Sequence, residues 1–120
     1  MGKPLALIVE DHHDAAIIFA EALKGADFEI ETIATGDAAL ERLAEVTPDV
    51  VVLDLDLPHV SGLDILQHIR GDARLAKTHV IIVTAHPALS AGLGNTADRV
   101  LIKPISFSQL RDLVTDLDLD

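Results

Sequence analysis

Apolar residues gather in short runs along this chain, and between the runs they recur at spacings of three and four. Leu5–Val9, Val50–Leu53, Val80–Val83 and Val100–Ile102 are continuous and rich in β-branched residues, as strands buried on both faces of a parallel sheet are. Residues 28–33, Phe-Glu-Ile-Glu-Thr-Ile, alternate instead and predict a half-buried strand. Ala16, Phe19, Ala20 and Leu23 mark the buried stripe of a helix over about residues 14–25, with Gly25 as its stop. Gly36 breaks the second strand. Ala39, Leu40 and Leu43 then predict a helix to about residue 46, and Pro48-Asp49 turns the chain into the strongest strand. Pro58 and Gly62 punctuate a loop before a third helix marked by Ile65, Leu66 and Ile69. Ser106-Phe107-Ser108-Gln109 has the form of a capping box. It opens a last helix with the stripe Phe107, Leu110, Leu113, Val114 and Leu117.

Strands alternating with helices throughout predict an α/β domain, a doubly wound five-stranded parallel sheet with helices on both faces and right-handed crossovers. One stretch breaks the alternation. From His86 to Thr96 two glycines and a proline leave room for one or two helical turns. The fourth helix is therefore expected to be abnormally short or irregular. No linker, repeat or low-complexity segment divides the chain, and one domain over 1–120 is expected.

Charge narrows the function classes. Nine basic against twenty acidic residues give −11 at pH 7, which disfavours nucleic acid and anionic membranes. Three phenylalanines, with no tyrosine or tryptophan, provide no stacking platform for bases. With no cysteine there is no thiol chemistry, in keeping with a reducing cytoplasm. No apolar stretch is long enough to span a bilayer, and no secretory signal is expected ahead of the first strand.

Each apolar run ends on a residue suited to phosphoryl chemistry: Glu10 and Asp11, then Asp54, Thr84, and Lys103 before Pro104. Ligands bind beyond the carboxyl ends of the strands in open α/β sheets, so these side chains are expected to share one rim. Clustered carboxylates disfavour each other's ionised form, and a hard divalent cation relieves the repulsion. A carboxylate can also take a phosphoryl group as an aspartyl-phosphate, with a metal, an ammonium and a hydroxyl neutralising charge.

In this order, the set resembles the receiver domains of two-component response regulators over nearly the whole chain. Glu10-Asp11 is similar to the family's metal-binding acids, and Asp54 in Val51-Val52-Leu53-Asp54-Leu55-Asp56-Leu57-Pro58 to its phosphorylated aspartate. Pro58 and Gly62 match the loop that follows. Thr84-Ala85 resembles the switch hydroxyl with its small neighbour, and Lys103-Pro104 the lysine with its proline. The resemblance implies the flavodoxin-like strand order 2-1-3-4-5 and a phosphoryl group taken onto Asp54 from a histidine kinase or phosphotransfer protein. It implies Mg²⁺, with Mn²⁺ as the alternative ion, held by Asp11, Asp54 and the backbone carbonyl of Asp56, with Glu10 acting partly through water. Lys103 would pair with the phosphoryl oxygens and Thr84 would move to bond one of them. Output would pass to a downstream protein partner, with a homodimer as a further option, in a cytoplasmic module that is not an enzyme.

Two features depart from the family pattern. The usual aromatic three residues before the lysine is Val100 here, so an aromatic rotamer switch is excluded at that position. The interval from Thr84 to Lys103 is also a few residues shorter than usual. Signalling is therefore expected to use another face, or a disorder-to-order change in residues 86–96. Ile17 and Ile18 on the first helix offer a docking face for a kinase, or else pack against the last helix. The six histidines lack the spacing of a zinc site and read as surface residues, apart from His86. It lies two residues after Thr84, as Asp56 lies two after Asp54, and a charge-assisted pair between them could modulate the site by shielding it from water.

Two other readings start from the same residues. Asp54-Leu55-Asp56 resembles the nucleophile and acid of haloacid-dehalogenase-like phosphatases, but the late strand ends in Lys103-Pro104 rather than a third acidic motif. Steady turnover of a phosphoester would favour it. Alternatively the fold serves as an interaction module that no longer depends on phosphorylation, which the intact acid, threonine and lysine set argues against.

Overall fold

The computed structural model describes residues 2–93, 96–117 and 119. Five strands, β1 (Leu5–Val9), β2 (Glu29–Ile33), β3 (Val50–Asp54), β4 (His79–Thr84) and β5 (Arg99–Ile102), form one parallel sheet in the order 2-1-3-4-5. Four α-helices accompany them: α1 (His13–Gly25), α2 (Gly36–Leu43), α3 (Gly62–Gly71) and α4 (Phe107–Thr115). The predicted class and strand order are the observed ones. Among the described residues, no helix is long and apolar enough to cross a membrane.

Alternation along each strand builds two cores. Ala6, Ile8, Val50, Val52, Ile81 and Val83 face Phe19 and Leu23 of α1 and Leu110 and Val114 of α4. Leu7, Val9, Val51, Leu53, Val80 and Ile82 face α2 through Ala39 and Leu43, and α3 through Ile65, Leu66 and Ile69. Side chains of successive strand residues point to opposite faces, so a continuous aliphatic run fills both layers at once. Each fully buried Val, Leu or Ile contributes about 1.5–3 kcal/mol.

Helix starts follow local chemistry. Thr35, Ser61 and Ser106 each accept a hydrogen bond from the backbone N–H three residues on, satisfying a donor the first turn leaves free. At α4 the hydroxyl half of the capping box is thus realised. Phe107, expected in the core stripe, is instead 38% exposed. At the first position of α4 it lies across α1's end, where a Cβ on Gly25 would touch it, and under the Arg111 guanidinium, 5.3 Å from its ring centre.

Where a fourth helix was expected the described residues form a 3₁₀ turn, Pro87–Ser90. Of the irregular stretch 86–96, residues 94 and 95 lie outside the described residues. A second 3₁₀ turn, Ala73–Leu75, had no apolar period to announce it; the Asp72 carboxylate starts it by accepting from Arg74 N–H. The short crossover into β5 is held by Arg70 of α3. Its guanidinium donates to the Thr96 carbonyl at 2.7 Å, the Thr78 carbonyl at 3.0 Å and Asp98 Oδ2 at 3.0 Å. That Asp98 oxygen also accepts from Val80 N–H at 2.7 Å. With little covering it, β5 leaves Val100 and Ile102 37% and 41% exposed.

Register brings the functional ends level. Asp54 pairs with Val83 and Thr84 with Ile102, while Lys103 N–H bonds the Thr84 carbonyl at 2.8 Å. Gly62 sets how closely α3 approaches this end: a Cβ there would lie 2.5 Å from the Asp54 carbonyl oxygen and 2.7 Å from Leu55 Cα. Backbone cannot give way as a flexible side chain can. Gly62→Ala is expected to cost about 1–3 kcal/mol in a urea melt, typical of overpacking. Gly71→Ala, in open space at the other end of the helix, should change stability by no more than about 0.5 kcal/mol.

Candidate phosphoacceptor site

Asp54 ends β3 with no solvent exposure, beside Glu10, which follows β1 and is 3% exposed. Ligand atoms of Glu10, Asp11, His12 and Asp54 all lie within 4.8 Å of one another. The chain returns to this rim at Lys103, after β5, whose Nζ lies 2.8 Å from Glu10 Oε1 and 3.4 Å from Asp54 Oδ2. Asp54 Oδ1 accepts the Asp56 backbone N–H at 2.8 Å. Glu10, Asp11, Asp54 and Lys103 are thus brought together as expected. The partnership of Lys103 with Glu10, closer than its approach to Asp54, has no motif of its own in the sequence. The same holds for His12, read as a surface histidine. Its Nδ1 lies 3.5 Å from Glu10 Oε2 and from Asp11 Oδ1.

Thr84 and Asp56 form a second group on the same rim. The Thr84 hydroxyl reaches Asp56 Oδ1 at 3.2 Å and Oδ2 at 3.3 Å, while Ala85 N–H donates to Oδ2 at 3.0 Å. His86 Nδ1 lies 3.1 Å from Oδ1, so the pair expected from the matching offsets exists. Its backbone N–H bonds the Thr84 oxygen at 3.0 Å. Beside both groups opens a largely apolar groove of about 610 Å³, lined on one side by Ala15, Ile18 and Phe19 of α1 and on the other by Lys103, Pro104 and Ile105. Ile17 and Ile18 are exposed rather than packed on α4.

The electrostatics explain why these residues need one another. Burial pushes Asp54 up to about 7, helped by the Glu10 carboxyl and opposed by the Asp56 N–H and Lys103. Burial would raise Glu10 too, but the Lys103 ammonium, the Asp54 carboxyl and the His12 N–H hold it below the ordinary carboxylate range. Lys103, which burial alone would lower, is raised by the two acids and stays charged. One ammonium therefore faces two buried carboxyls. Although Lys103 approaches both, Glu10 Oε1 and Asp54 Oδ2 are buried without an aligned hydrogen bond. One ammonium shared between two buried carboxylates leaves a net negative charge that a second cation would offset. Hard carboxylate oxygens at this spacing suit Mg²⁺.

Residues 6–115 match the family model described as the response regulator receiver domain. The chain is 34% identical over 110 residues to the phosphate regulon transcriptional regulatory protein PhoB of Rhizobium meliloti, covering 89% of this chain and 48% of that protein. It spans about half the length of that relative, and 19% of a transcriptional regulator of Haloferax volcanii to which it is 35% identical over 97% of its own length. Among solved structures, a CheY-like receiver domain from Methylobacillus flagellatus superimposes with a TM-score of 0.81 at 28% identity, covering 98% of this chain and all of that one. The chemotaxis response regulator CheY4 of Vibrio cholerae shares the fold with a TM-score of 0.85 at 23% identity, over 93% and 96% of the two chains.

The raised Asp54 carboxyl has a consequence for stability. Between about pH 4, where an unfolded aspartate titrates, and about pH 7, the folded state binds the extra proton. Rising pH therefore favours unfolding across that window. In metal-free buffer Asp54→Asn, which carries no charge to bury, should match wild type near pH 4. At pH 8 it should melt roughly 5 °C higher, about 1 kcal/mol for a domain of this size. A difference between the two proteins that stays constant from pH 4 to 8 would contradict the coupling.

Proposed function

Because the chain belongs to the response regulator receiver domain family, the phosphoacceptor signalling modules of two-component systems, we propose that Asp54 is its phosphoacceptor. The observation that carries this reading is the buried Asp54 carboxylate, whose Oδ2 lies 3.4 Å from the Lys103 ammonium and which is ringed by Glu10 and Asp11. Asp54 attacks the phosphorus of a phosphohistidine on a histidine kinase or phosphotransfer protein. The P–N bond breaks, and the imidazole leaves with the electron pair and takes up a proton. Lys103 pairs with the phosphoryl oxygens and the Thr84 hydroxyl turns toward them. Asp11, Asp54, the Asp56 carbonyl and, partly through water, Glu10 would hold Mg²⁺, or Mn²⁺ in its place, which would supply charge neutralisation.

The proposed docking surface for the phosphodonor is the groove beside Ile18, which opens directly onto Lys103 and His86. Output passes to a downstream protein partner or a second copy. Nucleic-acid and membrane contact are not proposed for this chain, whose net charge is −11. The cytoplasm is the proposed compartment. Asp56 and His86 stand at the mouth of the site and modulate access of water to the acyl phosphate.

A phosphatase reading finds no third acid at the end of β5, where Lys103 stands. A receiver fold working without phosphorylation is favoured by the 3₁₀ turn Pro87–Ser90 and the exposed Val100. Acetyl phosphate with Mg²⁺ distinguishes these readings. Wild type should gain one phosphoryl group, chelation should abolish the gain, and Asp54→Asn should show none. Lys103→Ala should be labelled at least tenfold more slowly. Labelling of Asp54→Asn at the wild-type level would exclude Asp54 as acceptor. In the labelled protein, His86→Ala should shorten the acyl-phosphate lifetime several-fold; an unchanged lifetime removes His86 from the site's workings.

A further inference from the structure

The Asp56 carboxylate already holds donors that a phosphoryl group on Asp54 would need. It accepts from the Thr84 hydroxyl and Ala85 N–H, with the His86 ring nitrogen alongside at 3.1 Å. Its side chain is only 18% exposed. Burial works against its charge, yet the Ala85 amide, His86 and Thr84 keep its carboxyl below the ordinary range. These donors sit at the carboxyl end of β4, next to Asp54 in register. The Asp56 N–H on Asp54 Oδ1 keeps the two aspartates at one rim.

We infer that Asp56 is an internal occupant of the anion-binding end of β4, and that phosphorylation proceeds by exchange: Thr84 Oγ1–H and Ala85 N–H leave the Asp56 carboxylate for the phosphoryl oxygens. The inference rests on Asp54 being the phosphoacceptor. A phosphoryl group adds about −1.5 to −2 charges beside an existing carboxylate, so the two anions repel while competing for the same donors. The phosphoryl group has Lys103 as well, and wins. Evicted, Asp56 takes its contact with the His86 ring along, and His86 stands at the start of the 3₁₀ turn Pro87–Ser90, its backbone carbonyl accepting from Leu89 N–H at 3.0 Å. Asp54 is thereby linked to the β4–β5 crossover through hydrogen bonds, without an aromatic side chain at Val100. Asp56 acts here as a positioning residue: it sets the cost of freeing Thr84 and Ala85.

Beryllofluoride, a stable mimic of the phosphoryl group, tests the exchange on the ¹⁵N-labelled full chain at saturating Mg²⁺, with the Ala85 amide as reporter. In wild type that amide should shift on saturation. Asp56→Ala should bind the mimic about tenfold more tightly, and its Ala85 amide should already be displaced before any is added. Asp56→Asn, which keeps the size of the side chain, should show a smaller gain in the same direction. Asp37→Asn removes an exposed charge from the first turn of α2, outside the groove and without touching the donors, and should leave affinity at the wild-type value. Equal or weaker binding by both Asp56 variants overturns the exchange, as does a gain for Asp37→Asn as large as theirs. If wild type and Asp54→Asn respond alike to the mimic, the phosphoacceptor reading itself fails and the exchange with it.

Discussion

Two carboxyls buried against a single ammonium are the constraint on which the rest of this structure depends. Glu10 and Asp54 have almost no contact with water, and Lys103 cannot neutralise both. Such an arrangement persists only where the surrounding packing over-determines it, and here the packing is the aliphatic sheet. The cores on either face fix β1, β3 and β4 in register, so the acids at the ends of β1 and β3 are held together by burial that has nothing to do with their charge. Function and stability pull in opposite directions at this rim. A neutral amide at position 54 would be easier to bury, but it would lack the carboxylate nucleophile that the proposed function requires.

The fold was legible because its information lies in local pattern. Continuous runs such as Val50–Leu53 can only be strands covered twice, and the stripe through Phe19 and Leu23 can only be a helix with one dry face. The acid, threonine and lysine positions followed, since each sits where an apolar run stops. Less was legible where a side chain's partner is chosen by tertiary approach. That Lys103 sits nearer Glu10 than Asp54, and that Arg70 grips Thr96, Thr78 and Asp98, depends on distances between elements that no periodicity encodes. Phe107 misled for a related reason. It has the right spacing for the α4 stripe, but the first position of a helix need not lie over the sheet, and here it lies over the end of α1. The Asp56–His86 pair stands between these cases, suggested by equal offsets from two strand ends and realised by geometry.

The two groups on the rim are coupled through residues 54–56. Asp54 and Asp56 are joined by a backbone hydrogen bond, yet their carboxylates face different donors, one toward Lys103 and the other toward the end of β4. A change of charge on one must be felt by the other, because they are two residues apart in a site shielded from water. This gives the β4 end a direct electrostatic tie to Asp54, the proposed acceptor, in a chain whose fifth strand carries Val100 in place of an aromatic ring.

Arg70 carries a further consequence. A helix in the fourth crossover would have tied the outer strand to the domain by hydrophobic contact, in which many atoms share the work. Here the β4–β5 ladder and a few half-buried residues, Leu93, Ala97 and Leu101, share the attachment with the polar contacts of Arg70 and Asp98. Anchorage with so little buried apolar surface can let go without exposing the main interior, so the outer edge of the sheet has the means to loosen as a separate cooperative unit while the centre stays intact. The Arg70–Asp98 ion pair makes this margin of the domain, rather than its middle, a part that salt can tune.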